Sequence, residues 1–204
     1  MSTKEIDRAK LPHLNKRFFV RAGASGLGGG AALAGVMMVS DATRGMGATS
    51  IFSQCFASFI WPTSAMSMNN MPTSTMPTST MPTHHSAEAM GTVHGVTAGV
   101  HAVVGALIHF ALSASLGVVI LSIIVLAGSV GWSLLAKPAG IIGASIIAGA
   151  MVYGIVARGI APSVDPAFGS GLSQSAFFLA HLLFGSTVGI LGGFWVWRPP
   201  RSRL

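Results

Sequence analysis

The sequence predicts an all-α integral membrane protein with four transmembrane helices. They form two tandem helical hairpins related by a pseudo-two-fold axis along the membrane normal. Three observations lead there: composition, long apolar runs free of charge, and the placement of the basic residues. Of 204 residues, 51% are hydrophobic and only 8% charged, against about 25% charged in a soluble domain. So few charged side chains cannot cover the surface of a water-soluble fold. The net charge of +7 does not indicate nucleic acid, because the cations flank apolar segments and form no basic helix with interleaved aromatics.

Residues 1–21 are a basic tail holding Lys4, Arg8, Lys10, Lys16, Arg17 and Arg21. The Ala/Gly-rich run "AGASGLGGGAALAGVMMVS" at 22–40 is the first span, and glycine there permits close helix approach. The same region has a rival reading. "NKRFFVRAG" (Asn15 to Gly23) resembles a twin-arginine export signal with Lys16 in place of the first arginine. Cleavage after such a signal would leave three spans.

Residues 41–101 form an outer loop, which includes the short apolar "IFSQCFASFIW" (Ile51 to Trp61) and a Met/Pro/Thr-rich low-complexity segment at 66–85. The apolar piece is too short to cross and suits the interface. Spans follow at 102–132, 139–157 and 177–197, with an outer loop at 158–176 and a basic tail at 198–204. Trp132, Trp195 and Trp197 stand at span ends, where indoles favour the headgroup region. With four spans, ten of the twelve basic residues fall on one side, leaving Arg44 and Arg158 on the other. The positive-inside rule makes that side cytoplasmic, with both termini inside a bacterial plasma membrane and the Met-rich loop outside.

An internal repeat supports retention of the first span. At an offset of 114, Gly26, Gly29, Ala34-Gly35, Met37 and Arg44-Gly45 match Gly140, Gly143, Ala148-Gly149, Met151 and Arg158-Gly159. At an offset of 72, His109, Ser113 and Gly117 match His181, Gly185 and Gly189. Residues spaced +4 and +8 share one helix face, so the second and fourth spans each carry a His–small–Gly stripe. Such stripes, extended by Gly193, serve helix packing within the bundle or between subunits of a homo-oligomer.

The order of a Gly/Ala-rich first span, "GALIHFALSASLGVV", a Gly-rich third span and "FFLAHLLFGSTVGILGG" resembles small uncharacterised bacterial inner-membrane proteins of the YagU-like type. The resemblance covers residues 20–197 loosely and implies a four-helix membrane protein with no established chemistry. The Met/His insertion lies outside that pattern.

Two sets of side chains are candidate ligands. His109 and His181 lie in the outer half of their spans, and ionisable groups there usually face a bundle interior. They suit a copper, zinc, haem or proton site between the second and fourth helices. They equally suit interhelical hydrogen bonds to carbonyls or to Ser113, Ser115 or Ser186. Met66, Met68, Met71, Met76, Met81, His84 and His85 offer soft thioether and imidazole ligands for copper. The same stretch, rich in Pro, Thr, Ser and Asn, also reads as a disordered spacer. Cys55 is the only cysteine, so no multi-Cys metal site forms within one chain. No nucleophile–base pair, paired carboxylates or phosphate loop is present, so no enzyme activity is expected and no cofactor other than copper is indicated.

Overall fold

The computed structural model describes residues 14–45, 52, 87–164 and 173–196. Four helices long and apolar enough to cross a membrane account for most of them: α1 Lys16–Thr43, α2 Ala87–Ser129, α3 Pro138–Ile155 and α4 Gln174–Val196. The described residues are helical or in the turns and short connections beside helices, and the protein is a multi-pass membrane protein.

α1 starts six residues before the expected span. Asn15 is the reason: its side chain accepts a hydrogen bond from the Phe18 N–H at 3.0 Å, satisfying one of the donors that every helix start leaves open. Phe18 and Ala22 are then buried in the core, so this turn is packed as well as capped. The helix ends on Gly45 at φ +73°, whose N–H reaches the Ala42 carbonyl. A glycine in the left-handed region is the usual way to stop a helix.

α2 departs most from expectation. Its 43 residues begin at Ala87, within the stretch assigned to the outer loop. At about 1.5 Å per residue it is roughly 64 Å long, about twice the ~30 Å hydrocarbon thickness. Its apolar part is Gly99–Ser129, and the first three turns are less apolar helix continuous with it. At the other end, Gly131 (φ +109°) closes α2 with two backbone bonds, Gly131 N–H to Gly128 O and Trp132 N–H to Ala127 O. This pair is the Schellman pattern, and it leaves Trp132 outside the helix. A 3₁₀ turn at Ser133–Ala136 leads into α3, which Pro138 opens at a position where a missing N–H is harmless. α3 runs on through a π-helical turn, Val156–Ile160, and a last turn, Ala161–Val164.

α1 packs against both α2 and α4, and α4 packs against α3; α2 makes few contacts with α3 or α4. The core has two parts. Phe18, Ala22, Ile120, Leu121, Ile124, Val125, Ile141, Phe184 and Val188 fill the half nearer the start of α1. Met37, Phe177 and Ala180, flanked by Phe52 and Tyr153, fill the other.

The seams are glycine contacts. A Cβ at Gly26 would strike the Ser113 carbonyl, and one at Gly30 would lie 2.6 Å from the Ser113 side chain. On α1's opposite side, a Cβ at Gly29 would lie 2.8 Å from the Phe184 ring. Between α3 and α4, Gly149 meets the His181 carbonyl, Gly185 the Ser145 carbonyl, and Gly189 the Ile142 backbone. These approaches put Gly149 against Gly185 as Gly30 stands against Ser113, an offset of 119 rather than 114. Of the glycines matched at 114, Gly140 abuts the Leu134 turn, while Gly143 and Gly35 face open space.

Candidate functional site: the membrane histidines

His109 sits on the α1–α2 seam. It is half-buried, and its Nε2 lies 3.0 Å from the Gly30 carbonyl of α1. A carbonyl only accepts, so Nε2 carries the proton and Nδ1 keeps the lone pair. Glycine at position 30 is what makes the bond short, because the two helices approach there without an intervening side chain. Phe52 and Phe110 contact the imidazole edge-to-face at 5.9 and 5.3 Å. Phe52 comes from the segment after α1, and its carbonyl abuts Gly105 one turn from His109.

His181 sits on the α3–α4 seam and is buried. Its Nδ1 lies 2.8 Å from the Phe177 carbonyl, one turn back in its own helix. By the same reasoning Nδ1 carries the proton and Nε2 is the open nitrogen. Phe177 and Tyr153 pack on this ring at 4.5 and 5.9 Å. The Tyr153 hydroxyl donates to Gln174 Oε1 at 3.2 Å, tying α3 to the start of α4.

The two histidines are therefore placed on separate seams, each within its own pair of helices. Each spends one ring nitrogen on a backbone carbonyl. Ser115 and Ser186 do not take part, because each hydroxyl bonds the carbonyl four residues back, of Ala111 and Leu182 respectively. One open nitrogen per imidazole, with the other N–H given to a carbonyl, is also what a metal-ligating histidine presents; two such nitrogens are fewer than the four ligands of a structural zinc site. Among the described residues no three His, Cys, Asp or Glu side chains cluster as metal ligands. The expected ligands Met66, Met68, Met71, Met76, Met81, His84 and His85 lie outside the described residues.

Sequence reading missed four residues around this region. Met37 is fully buried beside Phe177 and Ala180, in the cluster whose neighbours Phe52 and Tyr153 touch the two imidazoles. Asp41, one turn further on, is also fully buried, although it directly follows the predicted span and reads as a loop residue. Ser145 is fully buried at the Gly185–Gly189 contact, and its hydroxyl has no hydrogen-bond partner among the described residues. Tyr153 is the chain's only tyrosine, so its rarity was the one signal it offered and no motif carried it. Comparison with known protein families, curated proteins and solved structures finds no match for this chain.

Proposed function

We propose that the protein is a structural or accessory component of a bacterial plasma membrane, with no catalysis of its own. The observation that supports this best is the use made of its two in-membrane histidines: His109 joins α2 to α1 through a carbonyl bond, and His181, bonded within its own helix, joins α4 to α3 through its contact with Tyr153. In this reading both termini are cytoplasmic and residues 46–86 are displayed on the outer side. The four helices act as two tandem hairpins, and the chain associates with itself or another membrane protein through its remaining small-residue faces. The first span is retained, because α1 lies between α2 and α4 and would take both contacts with it if removed. The resemblance to YagU-like proteins agrees with this reading and adds no chemistry.

The sidedness is tested by labelling Cys55, the only cysteine, in intact cells with a membrane-impermeant maleimide. Labelling without permeabilisation is expected. Labelling only after permeabilisation would invert the topology.

A second reading is copper handling, with the Met/His segment as collector. The open nitrogens of His109 and His181 favour keeping it. Cu(I) competition against a chelator separates the readings. Tight binding by the full-length protein that is lost on deletion of 66–85 makes copper handling primary. Binding lost only in a His109→Ala/His181→Ala variant places the metal in the membrane. No competition leaves the structural role.

A further inference from the structure

We propose that the end of the bundle holding the start of α1 and the α2–α3 turn is a binding surface for anionic phospholipid headgroups. Two contacts bring its parts together. The Arg21 guanidinium donates to the Trp195 carbonyl at 3.2 Å, joining α1 to the end of α4. A Cβ on Gly193 would lie 4.0 Å from the Pro138 carbonyl, joining the same end of α4 to the start of α3. Lys16, Arg17, Arg21 and Lys137 are thereby gathered at one end, and all four are exposed. The only carboxylate among the residues whose side chains are described, that of Asp41, belongs to the opposite end.

The apolar surroundings identify the partner as lipid. Around Lys137, Val130, Trp132 and Leu134 are 78%, 66% and 70% exposed, and Phe19 and Phe194 are exposed on α1 and α4. Acyl chains cover such side chains, and an indole sits at headgroup depth. A cation a few residues from that apolar ring stands at phosphate level. Lys16, Arg17 and Lys137 stand free of any carboxylate among the described residues, so they are available to a headgroup. Each basic side chain at a membrane surface strengthens its attraction to an anionic leaflet about fivefold. The surface holds whichever side of the membrane it faces, so it does not depend on the topology proposed above.

The test uses full-length protein purified in detergent and equilibrated with an equimolar mixture of phosphatidylglycerol and phosphatidylcholine. The re-isolated complex is analysed for retained lipid by mass spectrometry. Phosphatidylglycerol is expected to exceed phosphatidylcholine several-fold. A Lys16→Ala/Arg17→Ala/Lys137→Ala variant lowers the ratio several-fold, and Lys16→Arg/Lys137→Arg preserves the preference. Arg44→Ala/Arg158→Ala, at the other end, leaves it unchanged. Raising the salt with unsubstituted protein reads the same term without any folding risk, because screening weakens exposed charge contacts. Equal retention of the two lipids by the unsubstituted protein overturns the proposal. So does a preference that the triple substitution leaves undiminished, or one that survives high salt.

Discussion

α1 and α3 each lead into a histidine-bearing helix and share a glycine-rich composition, yet they are packed in opposite ways. α1 lies between two helices: Gly26 and Gly30 meet α2, and Gly28 and Gly29 meet α4. α3 packs chiefly on α4, where Gly149 is its close-contact glycine; Gly140 abuts the Leu134 turn, and Gly143 and Gly154 face open space. The difference teaches that glycine content does not report burial in a membrane helix. Glycine allows close approach, and whether a neighbour uses it depends on which face the neighbour occupies.

The sharpest way to break this comparison is to place one large side chain on each helix. Gly26→Leu would drive its Cβ into the Ser113 carbonyl and Ala114 backbone, which cannot move aside as a side chain would. We expect a loss of about 3 kcal/mol or more and little folded protein. A Cβ at Gly143 meets nothing within 4 Å, and for Gly143→Leu a change within about 0.5 kcal/mol is expected. Thermal unfolding in detergent, followed by size-exclusion fluorescence, reads both. Equal losses would mean that α3's outer face is also covered.

The two histidines sharpen the comparison next. His109 bonds a different helix, whereas His181 bonds its own. Replacement by phenylalanine keeps an aromatic ring and removes the polar bond. His109→Phe should lose about 0.6–1.7 kcal/mol, the range of interhelical hydrogen bonds in membranes. His181→Phe should lose less from hydrogen bonding, because the Phe177 carbonyl lies within a helix that already uses it. The same unfolding measurement decides. A larger loss at His181 would show that its tight aromatic packing outweighs the bond at His109.

Much of the architecture was legible because the membrane imposes it. Four apolar segments were visible because a helix needs about 20 apolar residues to cross. Register was not legible. Ala- and Gly-rich segments match each other at several offsets, and the offset of 114 misses the contacts of Gly30 and Gly149 by five residues. The first turns of α2 were missed because residues 87–98 lack the apolar density by which the spans were found. For the site, the two histidines and the small residues beside them were visible as stripes. Their partners were not, because Gly30 and Phe177 contribute carbonyls, which every residue has. Burial of Asp41 was hidden for a related reason: an acidic residue at the end of an apolar run reads as loop until the aromatic packing around Met37 is known.

The matched Arg-Gly pairs give a smaller effect. Gly45 is at φ +73° and ends α1, whereas Gly159 continues a helix through the π-turn. Gly45→Ala should cost about 1 kcal/mol because a Cβ is disfavoured in that conformation. Gly159→Ala should cost nothing, since alanine favours helix over glycine and nothing lies within 4 Å of its Cβ. If both variants lose stability equally, the helix ends are more alike than their backbone angles indicate.

The smallest expected effect returns to the α3–α4 seam. Ser145 fills the place opposite Gly185 and Gly189, and its buried hydroxyl has no partner among the described residues. An unpartnered buried hydroxyl is destabilising, whereas its size suits a contact between backbones. Ser145→Ala removes the polar atom and keeps nearly the same volume, so it should be neutral or stabilising by up to about 1 kcal/mol. Ser25, equally buried on α1, bonds the Arg21 carbonyl at 3.0 Å. Ser25→Ala gives up that bond and should not stabilise. Opposite signs for the two substitutions, measured side by side, would show that serine on the α3–α4 seam is kept for smallness and on α1 for its hydrogen bond. A loss at Ser145 comparable to that at Ser25 would mean that its hydroxyl finds a partner in the membrane-embedded protein.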